Sequence, residues 1–304
     1  MRSSSIGSGG EVDMATDPSA ATMQRTPRPR FAASAAYYDH VARGYDIVAG
    51  AYDDVEGKNE ISERVRRLSL ESALKVFRPG DRILELGCGT GRDAVFLARN
   101  GIRVTATDLS PAMVTAARQR VNAEGLRDLV SVECLGAAMA AAAGGPYDGA
   151  YSNGAVLNLE PDLERVAKGL ADSLAPGAFA VLTAANRVSL FELLLYPTVL
   201  RPRKAFRKLG RDVPIPVSRE GTGKGYVVAT RFLTPREFLS RFESAFDLAF
   251  QRGIQVLTPP WNLVDMHHRF RLALDPFEKL EDHVGSAPGL RSLGAIYLVG
   301  LRRR

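Results

Sequence analysis

The sequence predicts an α/β fold with a doubly wound, mostly parallel sheet. Between residues 82 and 185, short apolar stretches alternate with helical segments, which is the pattern of consecutive βαβ units. One of these stretches runs directly into a glycine-rich loop and then into a helix. Ligands of such sheets bind where the parallel strands end. The sequence therefore predicts a functional site at the carboxyl edge of the sheet.

Composition excludes several other classes of protein. Hydrophobic residues make up 45% and charged residues 24% of the 304 positions, so the chain has enough apolar side chains for a sizeable core. Its two cysteines, Cys88 and Cys134, cannot form a disulfide framework and lack the spacing of metal ligands, so we expect no metal. No apolar run approaches ~20 residues and no apolar signal segment opens the chain, so we expect a cytoplasmic location.

The N-terminal part differs in texture from the rest. Residues 1–33 are rich in Ser, Ala, Gly, Thr and Pro, and we expect a disordered tail there. Four tyrosines follow between positions 37 and 52. A helix is predicted over 60–77, because apolar residues recur on one stripe and Pro79-Gly80 ends the pattern. These features predict a helical cap over 34–80, in front of a domain formed by 81–304.

The elements of that domain follow in order, with recognisable start signals. Ser110-Pro111 begins one helix with an N-cap serine and a proline at the first helical position, and Thr234-Pro235 begins another in the same way. The predicted helices lie at 92–99, 110–123, 161–174 and 234–246. The predicted strands lie at 82–86, 102–107, 129–134, 147–152, 179–184, 248–256 and 295–301. An irregular segment, 187–230, is an insert after the fifth strand.

The most informative motif is Glu85-Leu86-Gly87-Cys88-Gly89-Thr90-Gly91, which joins the first strand to a helix. Glycines let the backbone approach a ligand closely and direct N–H groups at it. Asp108 ends the second strand beside the same crevice, where a carboxylate can bind both hydroxyls of a ribose. A dinucleotide is disfavoured, because its fingerprint requires a small residue where this chain has Arg92.

This motif resembles the first motif of the class I S-adenosylmethionine (SAM)-dependent methyltransferases. The resemblance covers roughly 81–185, including Asp108 and the loop 153–158 after the fourth strand. It implies a Rossmann-like seven-stranded methyltransferase sheet in the order 3-2-1-4-5-7-6. It also implies SAM as the cofactor, held by Tyr45, Glu85, Gly87, Cys88, Gly89, Gly91, Asp108, Leu109, Gly136, Ala137 and Asn153. One departure is that 135–138 lacks the family's usual acid, so the adenine contact is expected from the backbone or from elsewhere in the chain.

The resemblance further implies methyl transfer to a small molecule at oxygen, nitrogen or carbon, and the apolar half of the insert favours a lipophilic acceptor. Such an in-line displacement needs alignment and exclusion of water, and it needs a base only if the acceptor arrives protonated. No catalytic residue is assigned, and His267 and His268 are the candidates for a base. The expected acceptor-side residues are Tyr38, Asn158, Phe191 and Trp261.

Two other functions stay open. A nucleic-acid methyltransferase acting on RNA is disfavoured, since base amino-methyltransferases carry an Asn/Asp-Pro-Pro-aromatic motif after the fourth strand and 153–156 reads Asn-Gly-Ala-Val. Thr258-Pro259-Pro260-Trp261 resembles that motif but follows the sixth strand and lacks the Asn or Asp. A non-catalytic SAM-binding partner protein is the second alternative.

The insert has two interpretations. Its apolar half, 191–200, is suited to wall an acceptor pocket. Six basic residues follow that half: Arg201, Arg203, Lys204, Arg207, Lys208 and Arg211. The whole of 191–211 is also suited to lie on an anionic membrane surface, with the basic residues at the headgroups. The oligomeric state is not predicted.

Overall fold

The computed structural model describes residues 29–210, 212–217 and 226–304. In this part of the chain the strands are β1 (Arg82–Leu86), β2 (Arg103–Asp108), β3 (Val130–Cys134), β4 (Tyr147–Ser152), β5 (Leu174–Ala185), β6 (Val213–Val217), β7 (Tyr226–Thr230), β8 (Phe246–Ile254) and β9 (Ile296–Arg303). The helices are α1 (Ala35–Val48), α2 (Tyr52–Glu56), α3 (Glu60–Ala73), α4 (Arg92–Arg99), α5 (Pro111–Ala123), α6 (Leu163–Ser173), α7 (Leu190–Thr198), α8 (Pro202–Ala205), α9 (Pro235–Leu239), α10 (Val264–Arg269) and α11 (Arg271–Val284). The expected disordered tail falls outside the described residues up to position 28.

The main sheet has seven strands in the described part of the chain, in the order β3-β2-β1-β4-β5-β9-β8. Strands β1 to β5 are parallel to one another, and β9 is antiparallel to both β5 and β8. Counted along this sheet alone, the order is 3-2-1-4-5-7-6, which confirms the predicted topology and fold class. The ends of β1, β2 and β4 therefore meet at one edge, where the glycine loop begins.

Helices cover both faces of the sheet. One face packs against α3, α4 and α5 through buried side chains that include Val65, Leu97 and Val114. The opposite face packs against α6 and α9, with Leu170 and Phe238 in its core. Because both faces are covered, the inner strands β1 and β4 are buried at all but one position each, whereas β3 at the edge has exposed positions.

Helix ends were predicted less well than helix starts. Ser110 caps α5 by accepting a hydrogen bond from the Met113 N–H, and Thr234 forms a capping box with Glu237 at the start of α9. However, the helix predicted over 60–77 ends at Ala73, and the one predicted over 234–246 ends at Leu239. Residue 246, predicted as the end of that helix, is instead the first residue of β8.

The insert is more regular than the sequence suggested. It contains α7, α8 and an antiparallel hairpin formed by β6 and β7. Strand β6 reads Val-Pro-Ile-Pro-Val, and prolines argue against a strand because they lack the N–H that a ladder requires. The hairpin was therefore missed, although β6 is paired along its whole length.

The N-terminal cap packs on this hairpin. The Tyr37 hydroxyl lies 2.9 Å from the Leu159 carbonyl oxygen and 2.8 Å from the Ala229 carbonyl oxygen. His40 donates from Nε2 to the Val227 carbonyl oxygen and accepts at Nδ1 from the Tyr226 hydroxyl. Cap and hairpin thus form one layer over the carboxyl edge of the sheet.

The cap also begins earlier than predicted. Phe31 was expected in the disordered tail, but its side chain is buried and its ring centroid lies 5.3 Å from that of Tyr37. The Arg231 guanidinium lies 4.4 Å from the Phe31 ring centroid on the other side of the cluster. An aromatic side chain with these two partners is held in place, so Phe31 belongs to the cap.

Among the described helices, none combines the length and the apolar character that crossing a bilayer requires.

Candidate functional site

The glycine loop makes a tight turn at the end of β1. The N–H groups of Gly87 and Cys88 both donate to the Thr107 carbonyl oxygen, each at 2.8 Å. Gly87, Gly89 and Gly91 have φ angles of +71°, +54° and +80°, which side-chain-bearing residues rarely adopt. A Cβ atom at Gly87 would overlap the Val156 side chain, and one at Gly91 would lie 3.0 Å from the Ala117 Cβ. Two of the three glycines are therefore required by close packing.

Close packing does not explain the glycine at position 89, because Gly89 borders open space. A Cβ atom at Gly89 would have a single neighbour within about 4 Å, the ring of Tyr52 at 4.0 Å. The space between the loop and this ring is a cradle that any side chain at position 89 would enter. A cofactor lying along the loop backbone would occupy the same space.

Asp108 is fixed at the edge of that cradle. Its Oδ2 accepts a hydrogen bond from the Gly89 N–H and its Oδ1 one from the Ser110 N–H, both at 2.8 Å. Burial raises the pKa of this carboxyl, while the backbone hydrogen bonds lower it and nearby Asp46 raises it again. Each carboxylate oxygen can accept a second bond, so Asp108 still has the capacity to bind ribose hydroxyls.

Glu85 lies behind the loop as a buried, incompletely paired acid. The residue is 2% exposed, and its Oε2 has no hydrogen-bond partner among the described residues. Burial raises the pKa of Glu85 well above its ordinary value; Asp93 and Asp108 raise it further, and Arg66 lowers it. Glu85, Asp93 and Asp108 therefore lie close together, and a cationic ligand beside them would favour the ionised form of Glu85.

The cap closes the crevice with two tyrosines, Tyr45 and Tyr52. Burial raises the pKa of both phenols, and nearby acids raise it further: Asp108 and Glu56 act on Tyr45, and Glu56 is the largest such neighbour of Tyr52. Both hydroxyls are therefore neutral, and their rings lie beside the anionic crevice. Aromatic faces in such a place attract cations such as a sulfonium.

Two aspartates anchor the cap to the cofactor crevice. Asp53 accepts a 2.7 Å hydrogen bond from the Thr90 hydroxyl and forms an ion pair with Arg120. Asp46 accepts from the Ser110 hydroxyl at 2.6 Å and from the Ala112 N–H at 3.0 Å. Sequence reasoning missed both roles, although the repeated Tyr-Asp pairs at 45–46 and 52–53 are a visible signal.

On the expected adenine side, Leu109, Gly136 and Ala137 lie close together. A Cβ atom at Gly136 would lie 3.3 Å from the Leu109 Cδ1, and Ala137 begins a buried turn of 3₁₀ helix. The structure thus brings these three residues to the crevice beside Asp108. Cys88 lies in the loop as a buried thiol, and burial raises its pKa well above the ordinary value, so it is neutral.

Asn153 connects α4 to β5 behind the crevice, through hydrogen bonds to Asp93 and Thr183. Its Nδ2 donates to the Asp93 Oδ2 at 3.2 Å, and its Oδ1 accepts from the Thr183 hydroxyl at 3.0 Å. Asp93 also accepts from the Tyr151 hydroxyl and forms an ion pair with Arg66. The amide of Asn153 therefore orients the acidic cluster, a role that the sequence did not indicate.

The expected acceptor-side residues do not converge. Asn158 is 3% exposed, and its amide is bonded to backbone groups of Ala185 and Arg231, so it offers nothing to an acceptor. The Tyr38 hydroxyl donates to Glu160 at 2.7 Å. Phe191 is half-buried on α7, and Trp261 is exposed beside Asn59.

The histidine candidates lie apart from the glycine loop. His267 bonds Glu278, and His268 lies 4.0 Å from Glu60 at the start of α3. His267 lines a cavity of about 660 Å³ between α3, the end of β8 and α11. None of the described residues lining that cavity comes from the glycine loop, and Asp108 is not among them. A role as the base at the cofactor crevice does not follow from this placement.

The basic segment is smaller than the sequence suggested. Lys208 is 6% exposed and forms an ion pair with the buried Glu192. The Arg207 guanidinium lies 3.8 Å from the same carboxylate. Burial lowers the pKa of Lys208, and Glu192 raises it. Arg211 lies outside the described residues. Arg201, Arg203 and Lys204 are exposed, and none of them forms an ion pair with another described residue.

Comparison with known proteins agrees with this geometry. Residues 83–177 match the family model described as a methyltransferase domain. Methyltransferase GfsG of Streptomyces halstedii is 33% identical over 99 residues, which are 32% of this chain and 35% of that protein. A ubiquinone biosynthesis O-methyltransferase of Xanthomonas campestris pv. campestris is 35% identical over 118 residues, which are 38% of this chain and 47% of that protein. The chain thus matches less than half the length of these relatives.

Solved structures share the whole fold. The geranyl diphosphate C-methyltransferase from Streptomyces coelicolor A3(2) superposes with a TM-score of 0.56 at 14% identity, covering 90% of this chain and 100% of that one. The [4+2]-cyclase SpnF superposes with a TM-score of 0.55 at 19% identity, covering 86% and 94%. Such distant likeness reports the fold rather than the reaction. The matched methyltransferase domain model covers 83–177, a segment that contains both the glycine loop and Asp108.

Proposed function

We propose that this chain transfers a methyl group from SAM to a small, lipophilic acceptor. The observation that carries the proposal is the crevice between the glycine loop and Tyr52, with Asp108 at its edge and the buried, incompletely paired acid Glu85 behind the loop. SAM, when bound, supplies an electrophilic methyl group on a sulfonium cation. A crevice that combines a carboxyl placed for the ribose, a second carboxyl that a cation would ionise and aromatic faces fits both halves of such a cofactor.

The residues of this chain would act by binding, orientation and exclusion of water. Asp108 would accept hydrogen bonds from the ribose hydroxyls, and the backbone at Gly89 would let the methionyl part lie close to the loop. Tyr45 and Tyr52 would shield the reacting centre from water, since their rings cover the crevice and their hydroxyls stay neutral. Glu85, Gly87, Cys88, Gly91 and the turn at 136–137 would form the rest of the cofactor site.

We propose that the acceptor binds between the cap and the ends of β4 and β5. A small apolar cluster lies there: Ala185, Val213 and Phe232 are buried, and Ala155 and Ile215 pack against them half-exposed. Relatives named for ubiquinone, demethylmenaquinone and fatty-acid methylation support a lipophilic acceptor. The acceptor group that we expect at this apolar wall is an acidic hydroxyl or an activated carbon, for which the protein need not supply a strong base.

We further propose that the insert segment 191–211 rests on an anionic membrane surface. Five large apolar side chains are exposed there: Leu194, Val199, Leu200, Phe206 and Leu209. They lie before and after the exposed Arg201, Arg203 and Lys204 in the sequence, and apolar side chains next to basic ones favour the interface of anionic lipids. Such contact would give access to an acceptor dissolved in the bilayer.

We place the enzyme in the cytoplasm, where free thiols persist. Cys88 and Cys134 are both unpaired, and Cys134 is exposed. Nucleic acid is not expected as the acceptor, since the loop after β4 lacks the motif of base amino-methyltransferases.

The direct test is to incubate the purified protein with methyl-labelled SAM and, separately, quinone and lipid extracts, polar metabolites and RNA. We expect label in the lipophilic fraction alone. The Gly89→Val variant, whose cradle is filled, is the matched negative control. Label in RNA would favour the nucleic-acid alternative. Tight SAM binding without transfer to any fraction would favour the non-catalytic partner.

A further inference from the structure

Three side chains from distant parts of the sequence meet at the rim of the cavity between α3, the end of β8 and α11. Glu60 is the first residue of α3, and His267 and His268 lie on α10. One carboxylate oxygen of Glu60 and one ring nitrogen of each histidine lie within 4.8 Å of one another. Histidine nitrogens and a carboxylate at this separation are close enough to converge on one ion after small side-chain rotations.

A second observation comes from His267 itself. Its side chain is buried, at 7% exposure, and Nε2 lies 2.6 Å from the Glu278 Oε1. A carboxylate can only accept, so Nε2 carries the hydrogen and the lone pair of the neutral ring is at Nδ1. That Nδ1 is buried and has no hydrogen-bond partner among the described residues. Metal-binding histidines are held in this way, with one nitrogen donating to a carboxylate and the other free for the metal.

We propose that Glu60, His267 and His268 bind a divalent transition-metal ion of the Zn²⁺ type, with Glu278 as the residue that orients His267. Imidazole nitrogen suits Zn²⁺ and its neighbours Co²⁺ and Ni²⁺, whereas Mg²⁺ and Ca²⁺ prefer sites made wholly of oxygen. Two histidines and one carboxylate leave at least one coordination position for water or a ligand.

The surroundings set the conditions for binding. Arg271 lies 3.9 Å from the Glu60 carboxylate, and Arg64 lies 3.4 Å from that of Glu278. Arg271 is exposed and is free to swing into solvent when an ion binds, whereas Arg64 supports Glu278. The Arg271→Gln variant, which lacks the competing cation, is therefore expected to bind the ion more tightly.

The location suggests what the ion would do. Glu60 and His267 line the cavity of about 660 Å³, together with Gln255 and Thr258. Gln255 is buried, and neither polar atom of its side-chain amide has a partner in the described part of the chain. An ion at the rim would lie on the same cavity as this buried amide, and it would tie α10 to the start of α3, within the cap.

The test uses full-length, tag-free protein stripped with a chelator and then dialysed. Calorimetric titration with Zn²⁺ is expected to show one saturable site per chain. Titration with Co²⁺ is expected to give the visible absorption of a low-coordinate nitrogen and oxygen site. The variants Glu60→Gln and His268→Ala change exposed side chains, so they should fold, and each should weaken Zn²⁺ binding at least tenfold. Glu278→Gln should weaken it about 10- to 100-fold.

His283→Ala is the matched control, because His283 is an exposed histidine on α11 outside the cluster. It should bind Zn²⁺ as the unchanged protein does. The proposal is overturned if the stripped protein shows no saturable site, or if His268→Ala and His283→Ala bind the ion equally well.

Discussion

A single buried carboxyl, Glu85, should govern how cofactor binding depends on pH. In the ligand-free protein its pKa is raised well above the ordinary carboxyl value, chiefly by burial, so the proton stays on to higher pH. A cationic ligand favours the ionised form and lowers that pKa, so binding releases a proton. SAM affinity should therefore rise with pH as it approaches the raised pKa of Glu85 in the free protein, and level off above it.

The Glu85→Gln variant should bind SAM more weakly and lose most of this pH dependence. Calorimetry in two buffers of different ionisation enthalpy measures the released proton directly. Burial also raises the pKa of Asp108, so Asp108→Asn separates the two carboxyls. If the pH dependence of SAM affinity persists in Glu85→Gln and disappears in Asp108→Asn, the released proton comes from Asp108 instead.

Gly89 tests whether the cradle beside Tyr52 holds the cofactor. Gly89→Val should abolish SAM binding, because its side chain would fill the open space between the loop and the Tyr52 ring. The matched control is Gly80→Val: Gly80 also has a positive φ, +95°, and a Cβ atom there has no neighbour within 4 Å. Both variants carry the cost of a left-handed side-chain-bearing residue, roughly 1–2 kcal/mol. Equal loss of stability with loss of SAM binding only in Gly89→Val is the expected result.

At the scale of elements, the cap helix α2 is held on the glycine loop by Asp53. Removing this carboxylate in Asp53→Ala breaks the bonds to Thr90 and Arg120 together. Bonds to a charged group contribute about 1.5–3 kcal/mol, and partial exposure here reduces this, so SAM affinity should fall three- to tenfold. Backbone hydrogen exchange over 45–56 should accelerate.

Asp54→Ala serves as the charge-matched control for that experiment. Asp54 is the exposed neighbour of Asp53, and its removal changes the net charge of the helix equally. If Asp54→Ala weakens binding as much as Asp53→Ala does, the effect is long-range charge rather than anchoring of the cap.

Sequence alone was sufficient for the sheet because its signals are local. The apolar strands, the glycine loop and the caps at Ser110 and Thr234 are each encoded within a few residues. Helix ends were less predictable. Phe238, Phe242 and Phe246 follow a helical spacing, yet Phe246 pairs with Arg303 in β8, which only the distant strand could reveal.

The candidate site divides in the same way. Gly89 and Asp108 are on consecutive βα turns, so their meeting follows from the topology. Asp46 and Asp53 reach the crevice through packing of the cap, and Asn158 is consumed by backbone bonds to Ala185 and Arg231. The cluster of Glu60 with His267 and His268 joins residues some two hundred positions apart. No spacing rule identifies such long-range assemblies.

On the scale of the whole molecule, the cap and the hairpin of the insert form one layer over the carboxyl edge of the sheet. Tyr37 and His40 of α1 are both hydrogen-bonded to backbone carbonyl oxygens of β7, the second strand of the β6–β7 hairpin. The hairpin in turn follows α7 and α8, which carry the exposed apolar and basic side chains. Contact of 191–211 with a membrane would therefore place the acceptor entrance beside the bilayer.

That arrangement predicts salt-sensitive binding to anionic vesicles. Each basic residue near such a surface contributes about 1 kcal/mol, so replacing Arg201, Arg203 and Lys204 by Gln should weaken binding about a hundredfold. Lys208 should not contribute, because it is buried against Glu192. Sedimentation with vesicles of anionic and of zwitterionic lipid, at low and at high salt, measures the effect, since salt screens it.

The matched control for the vesicle experiment replaces three exposed basic residues far from the insert: Lys75, Arg78 and Arg103. This variant loses the same net charge, so it should bind vesicles as the unchanged protein does if contact is local to 191–211. A Leu200→Ser variant tests the apolar part, because Leu200 is 90% exposed and has the greatest area to insert. If the unchanged protein does not bind anionic vesicles at low salt, the membrane proposal fails. The insert would then serve only as a wall of the acceptor pocket. In that case, scrambling 191–200 should abolish turnover and leave the SAM affinity unchanged.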